Sequence, residues 1–414
     1  MKKALILGKG ISGLGADKAL RSLGYETAFY FDGGAPPDLV DVSLVIVSPG
    51  ISIAHPVIAV ARSKSIDVYG EMELGYRLCR CPLIAVTGTN GKTTVTELIN
   101  AILLKKGLKS DAVGNIGKSL SAAALDSGEF DMIVCEASSF MLESTISFAP
   151  DIAIITNITA DHLDRHGTME EYARAKMRIT ANQTEKNFLI LSADGIPVEY
   201  VKDLESRAHV LFVSTKGVVA GAYQLDGKLY YFDEFICDRD SLKMTGEHNV
   251  SNALFGIAAA RIMGVERSVI TAVFAEFEPG KHRLQDIGVY GGKRYFDDSK
   301  GTNIDACLKA CNSMRGDTAL ILGGSGKGYD YGELFANLPA HITYITAIGE
   351  TADEIAKHGR GVVICVSLEE AVHKCAAADV ANVLLSPAAA SFDMFTDYRE
   401  RGNKFREIIS SLRA

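Results

Sequence analysis

The stretch Thr87-Gly-Thr-Asn-Gly-Lys-Thr-Thr94 follows an apolar run, Pro82 to Val86, and precedes apolar residues at helical spacing, Val95, Leu98, Ile99 and Ile102. A strand, a glycine-bearing turn and a helix, in that order, make an anion site. Gly88 and Gly91 let backbone N–H groups close on a phosphate, and the helix N-terminus adds partial positive charge. Lys92 is spaced to reach β- and γ-phosphates, and the Thr93 hydroxyl to reach Mg²⁺. Thr89, Asn90 and Thr94 complete the turn. Val86 stands where the general pattern G-x-x-x-x-G-K-[ST] has its first glycine, so this is a shorter form of it.

Other strand ends carry chemistry too. Gly8-Lys-Gly-Ile-Ser-Gly13 follows the first apolar run, with Asp32 near the end of the next one. That fits a diphosphate on a helix N-terminus, and NAD and a uridine diphosphate sugar satisfy it equally. Glu136 ends the run 132–135, where a Mg²⁺ ligand or a helix-capping acid would sit. The polar segment 156–166 holds His162 and His166 four apart without the glutamate of H-E-x-x-H, so a metal site and a polar turn with a capping Asp both fit. Lys176, on the charged helix 170–178, reads from its surroundings as a solvated lysine. Asn249 and Asn252 open a further helix. His282-Arg283, the loop 297–303, Gly323-Gly-Ser-Gly-Lys327 and Ser386-Pro-Ala-Ala-Ala-Ser-Phe392 place basic and hydroxyl groups after short apolar runs. Such groups suit anionic substrates.

These loops need strands and helices to hold them. At 414 residues a single core would be unusually large, so two or three domains are expected. Strands at 4–7, 27–31 and 44–47 and helices at 12–23 and 57–64 form a first βαβ block ending at Pro82. A second block, to about Pro279, has strands at 83–86, 132–136, 152–156 and 188–191. It also has a helix over 169–181, a hairpin turning at Asp226-Gly227 within 223–235, and an Ala-rich helix over 249–263. The third block has strands at 320–322, 342–348, 362–366 and 383–385. The fold class is α/β in three domains: 1–82 Rossmann-like, 83–279 a central P-loop ATPase-like domain, 280–414 again Rossmann-like. A net charge of −8 without a basic run argues against nucleic acid, and no apolar segment approaches a membrane span. The N-terminal apolar run is too short for a secretion signal. Eight scattered cysteines fit reduced thiols in the cytoplasm.

In this order the motifs resemble the Mur ligases of peptidoglycan synthesis, over essentially the whole chain. Thr87–Thr94 is similar to that family's ATP loop. Glu136-Ala-Ser-Ser-Phe-Met-Leu-Glu143, the segment 386–398, and the first domain with Gly8-x-Gly-x-Ser-Gly13 and Ser48-Pro-Gly-Ile51 resemble the D-glutamate-adding branch. The Asp-Asn-Pro-Arg motif of the diaminopimelate-adding relatives is absent from the sequence. The resemblance implies ATP-dependent joining of D-glutamate to UDP-N-acetylmuramoyl-L-alanine through an acyl phosphate, by a monomer. It implies Lys92, His162 and Lys176 as catalytic residues. It implies Thr93, Glu136, His162 and Lys176 at two Mg²⁺ ions, with Lys176 carbamylated. Gly88 to Thr94, Asn249, Asn252, Arg283 and Asp298 would hold the nucleotide. Ile11, Ser12, Asp32, Gly50 and Asn115 would hold the UDP-sugar, with Ser138 also at the substrate. Thr302, Lys327, Ser391 and Phe392 would hold D-glutamate. Phe31-Asp32-Gly33 lacks the arginine that often follows that acid in the family. Two readings from other classes compete: an NAD-dependent oxidoreductase built on Gly8–Gly13, which leaves the Gly88–Thr93 loop without a task, and a non-catalytic nucleotide switch, which leaves the anion-binding loops of the third block unexplained.

Overall fold

The computed structural model describes residues 2–31, 37–202, 204, 206–244, 246–278, 280–326 and 328–412. Its first sheet is built from β1 (Lys3–Leu7), β2 (Glu26–Tyr30), β3 (Val42–Val47) and β4 (Asp67–Gly70). The order is β2-β1-β3-β4 and every pair is parallel. The helices Ile11–Ser22 and Pro56–Ser63 are its crossovers, as their βαβ spacing requires.

The second sheet comprises β5 (Leu83–Thr87), β6 (Ser110–Gly114), β7 (Met132–Glu136), β8 (Ile152–Ile155), β9 (Phe188–Ser192), β10 (His209–Ser214), β11 (Gly221–Leu225), β12 (Lys228–Tyr231) and β13 (Glu234–Asp238). Its order is β13-β12-β11-β10-β9-β8-β5-β7-β6. β5, β7 and β8 are buried at every residue, which is why they read as unbroken apolar runs. The helices Lys92–Lys105 and Glu247–Ile262 cover one face. Gly256 lets them close up, since a Cβ there would lie 2.9 Å from Leu98. The expected hairpin at 223–235 is instead part of a three-strand antiparallel meander. Its first turn is the anticipated one, with Asp226 and Gly227 both at positive φ. The helix expected over 169–181 ends at Met177 and tightens into a short turn, Arg178–Thr180.

Both sheets belong to one compact unit, residues 1–158, 168–244 and 248–278. The helix Glu71–Leu78 joins them. Glu71 accepts from the Ser121 N–H at 2.7 Å, and burial raises its carboxyl above the usual range. Glu73 is buried as well, yet the donors of Ser147, Ile146 and Arg77 outweigh the burial and hold its carboxyl low.

The second unit holds residues 159–167, 245–247 and 279–414. Its sheet contains β14 (Gln285–Tyr290), β15 (Lys293–Asp297), β16 (Thr318–Gly323), β17 (Ile342–Ile348), β18 (Val363–Ile364) and β19 (Asn382–Leu385), in the order β14-β15-β19-β16-β17-β18. Only the β14–β15 pair is antiparallel, turning through Gly291-Gly292. Among the described residues no helix is long and apolar enough to cross a membrane.

Candidate active site

The loop between β5 and the helix Lys92–Lys105 has the shape its glycines anticipated. Gly88 sits at φ +139 and Gly91 at φ +84, and Gly91 caps the helix. A Cβ on Gly88 would fall 2.0 Å from Thr156 Oγ1, and one on Gly91 would fall 2.6 Å from Asn252 Oδ1. The end of β8 braces the loop. Thr89 N–H donates to the Asn157 carbonyl (2.9 Å) and Asn90 N–H to Asn157 Oδ1 (2.9 Å), while the Thr156 hydroxyl donates to the Asn90 carbonyl (2.6 Å). Thr94 is buried beneath.

Two lysines converge on the same loop. Lys92 Nζ donates to the carbonyls of Gly88 (2.9 Å) and Thr89 (2.7 Å). Lys176 is only 1% exposed, its Nζ donates to the Gly88 carbonyl at 2.7 Å, and it lies over the Tyr172 ring. Tyr172 in turn donates its hydroxyl to Thr89 Oγ1 (3.2 Å). Lys176 therefore belongs to the phosphate loop and is not a solvated residue.

At the mouth of the loop Thr93 Oγ1 donates to Glu136 Oε2 at 2.5 Å, and Asn115 Nδ2 donates to Glu136 Oε1 at 2.8 Å. The strands dictate this meeting, because β7 lies beside β5 with Val86 paired to Glu136, and β6 lies beside β7 with Gly114 paired to Glu136. A hydroxyl and a carboxylate are hard oxygen donors of the kind Mg²⁺ takes, and that ion completes its shell from phosphate and water. Among the described residues no three His, Cys, Asp or Glu side chains gather as a metal cage. Asn249 and Asn252 are buried and bonded to each other (3.0 Å), with Asn252 against Gly91. Ser138 caps the helix Ser139–Glu143 by accepting from Met141 N–H. At the first sheet Ile11 and Gly50 are exposed, and Ser12 is half-buried in the first turn of its helix.

In the second unit His162 stands at φ +54. Arg283 is half-buried, Thr302 likewise, Ser391 is buried and Phe392 is 74% exposed. Asp298 turns both oxygens inward, accepting from Leu284 N–H (3.0 Å) and the Ser386 hydroxyl (2.7 Å), and burial pushes its carboxyl up to about 7. It thereby anchors the chain beside Arg283. Asp32 and Lys327 lie outside the described residues.

Sequence reasoning missed several groups. Tyr172 and Asn157 brace the phosphate loop from elements whose neighbours carried the visible signal. Arg401 is wholly buried and donates to Ser299, Ala389 and Ala390, tying together loops after β15 and β19. Burial lowers its guanidinium to about 10. Nothing in its charged helical surroundings marks it.

The model of the Mur ligase middle domain matches residues 86–260, which contain the loop, Glu136 and Lys176. The UDP-N-acetylmuramoylalanine--D-glutamate ligase of Caldanaerobacter subterraneus subsp. tengcongensis is 39% identical over 91% of this chain and 85% of its own. The enzyme of the same name from Pelotomaculum thermopropionicum is 38% identical over 100% of this chain and 98% of its own. The chain belongs to the Mur ligase family. Solved structures agree on the fold. A pseudomurein peptide ligase type C from Methanothermus fervidus superimposes with a TM-score of 0.64 at 18% identity, covering 100% of both chains. The UDP-N-acetylmuramate-alanine ligase MurC of Thermotoga maritima gives 0.63 at 19%, covering 99% of both.

Proposed function

We propose that the protein joins D-glutamate to UDP-N-acetylmuramoyl-L-alanine at the expense of ATP, a step of peptidoglycan synthesis. The observation that carries the chemistry is the Thr93–Glu136–Asn115 cluster at the mouth of a loop on which Lys92 and Lys176 converge. The observation that carries the substrates is the full-length similarity to ligases of that name. Three anions must react, so charge neutralisation is the main catalytic demand. Gly88 to Thr94 cradle the triphosphate, Thr89 and Asn90 by holding the loop's shape through Asn157 and the residues from Gly91 on by their backbone N–H groups at the helix N-terminus, and Lys92 leaves its carbonyl partners for the β- and γ-phosphates. The substrate carboxylate attacks the γ-phosphate, breaking its bond to the β-phosphate and releasing ADP, and the amine of D-glutamate, losing a proton, displaces phosphate from the resulting acyl phosphate.

Thr93 and Glu136 would hold one Mg²⁺, and His162 and Lys176 a second; such ions would supply positive charge for the phosphoryl oxygens. Lys92 and Lys176 stand on one carbonyl oxygen, and two ammonium groups there repel. Carbamylation of Lys176 relieves that repulsion and turns it into an oxygen ligand. Asn249, Asn252, Arg283 and Asp298 serve the nucleotide, Asp298 by fixing the backbone next to Arg283. Ile11, Ser12, Asp32, Gly50, Asn115 and Ser138 serve the UDP-sugar. Thr302, Lys327, Ser391 and Phe392 serve D-glutamate. The working domain division is 1–82, 83–279 and 280–414, in a monomer. The reading places the protein in the cytoplasm, where its eight cysteines would stay reduced.

Mass analysis of the product tests the reading. With ATP, Mg²⁺, UDP-N-acetylmuramoyl-L-alanine and D-glutamate, the sugar nucleotide should gain one glutamyl residue per phosphate released. Phosphate release without a heavier sugar nucleotide would reject the ligase assignment.

A further inference from the structure

The residues 159–167 leave β8 and belong to the second unit, which grips them at two points. Thr159 Oγ1 donates to Asp305 Oδ2 at 3.3 Å, in the first turn of the helix Ile304–Ser313. Two residues on, Asp161 is buried, and among the described residues its carboxylate accepts from Tyr329, His162 and Asn303. Oδ1 accepts the Tyr329 hydroxyl (2.5 Å) and the His162 backbone N–H (2.9 Å), and Oδ2 accepts Asn303 Nδ2 (3.1 Å). The Asn303 side chain is itself fixed, because its Oδ1 caps the helix by accepting from Ala306 N–H at 2.8 Å.

What this carboxylate holds is unusual. His162 follows at φ +54, a left-handed conformation that costs a non-glycine residue about 1 kcal/mol or more and persists only where the surroundings impose it. Asp161 imposes it directly through the His162 N–H, and its Oδ2 lies 3.6 Å from His162 Nε2. The two side chains that hold Asp161 come from informative places. Asn303 follows Thr302, and Tyr329 is two residues beyond Lys327, both proposed above for the amino-acid substrate. A phenol on a carboxylate is a charge-assisted bond, among the stronger kinds in a folded protein.

We infer that Tyr329 and Asn303 are positioning residues: through Asp161 they fix the backbone conformation of His162, and with it the direction of its imidazole, and tie it to the two loops proposed for the D-glutamate pocket. The inference rests on the functional reading above for the task of His162. Occupancy of the amino-acid pocket is then felt at His162 through one carboxylate.

The test uses the full chain with ATP, Mg²⁺, UDP-N-acetylmuramoyl-L-alanine and D-glutamate. Tyr329→Phe removes one oxygen. Asn303→Ser keeps a helix-capping side chain and removes the amide donor. Each should lower kcat about tenfold, with KM for the sugar nucleotide within twofold of wild type. In an Asp161→Asn background the Tyr329→Phe effect should shrink below twofold, because the residue it acts through is already altered. The ring resonances of His162, assigned by their loss in His162→Gln, should shift in both single variants, and these decide alone if Asp161→Asn turns over too slowly to measure. Wild-type kcat in both single variants, undiminished loss on the Asp161→Asn background, or unmoved His162 resonances would each overturn the inference. Failure of the wild type to ligate D-glutamate would instead reject the functional reading, and the His162 resonances would still test the latch.

Discussion

Glu136→Gln separates the structural work of the buried carboxylate from its electrostatic work. The carboxylate accepts the Thr93 hydroxyl at 2.5 Å and the Asn115 amide at 2.8 Å. Glutamine has the same shape. Its Oε1 accepts from Asn115 while its amide donates to Thr93 Oγ1, so both contacts survive as neutral hydrogen bonds. A bond to a charged group nets about 1.5–3 kcal/mol and a neutral one about 1 kcal/mol, and relief from burying a charge works the other way. The fold should therefore lose no more than about 1–2 kcal/mol. On the proposed metal role of Glu136, catalysis loses a full negative charge that would face a divalent cation. Removing one preorganised electrostatic group from such a site costs about 3–4 kcal/mol, or roughly 10²–10³ in kcat. Phosphate release over a Mg²⁺ series, alongside urea unfolding, reads both quantities. A kcat within fivefold of wild type at the same Mg²⁺ dependence would refute the assignment of Glu136 to the metal.

Lys92→Ala should cut turnover by orders of magnitude with an unchanged circular dichroism spectrum; near-wild-type turnover would remove the loop from the mechanism. Lys176→Ala should be inactive and partly restored by short-chain carboxylates that take the place of a carbamate, whereas full activity without additive would exclude that role. Gly91→Ala forces a side chain to φ +84 and against Asn252, so urea unfolding should show a loss of about 1–3 kcal/mol with a raised KM for ATP, and unchanged values would contradict the loop geometry. Burial raises Asp298 to about 7, so between pH 4 and 7 the folded chain keeps a proton that the unfolded chain releases, and stability falls as pH rises through that window by on the order of 4 kcal/mol at most. Asp298→Asn should lose less stability than wild type between pH 5 and pH 8, and parallel pH profiles would show that this carboxyl does not carry the effect.

The phosphate loop was legible because its determinants are local: a buried strand, two glycines at positive φ and a helix start within a dozen residues. Glu136 was half legible. Its place at a strand end showed in the sequence, but its pairing with Thr93 depends on β7 lying beside β5. Lys176 looked solvated because Glu170, Glu171, Arg174 and Arg178 surround it in sequence. The structure buries it because Tyr172, Ala173 and Lys176 share the inward face of the helix Met169–Met177. The meander after β10 was undercounted because its second turn passes through Phe232 at φ +49, and an aromatic residue gives no turn signal. Asp161 and Arg401 act through long-range contacts that no spacing encodes.

The most direct test of substrate identity is phosphate release with UDP-N-acetylmuramoyl-L-alanine and, in turn, equal concentrations of D-glutamate, L-glutamate, glycine and L-lysine. The pocket proposed for Lys327, Thr302 and Ser391 should require a second carboxylate in one stereochemical arrangement, because a substrate without it leaves the lysine charge unpaired, at a cost of several kcal/mol. D-glutamate alone should support sustained turnover. Turnover with glycine or L-lysine equal to that with D-glutamate would contradict the assignment.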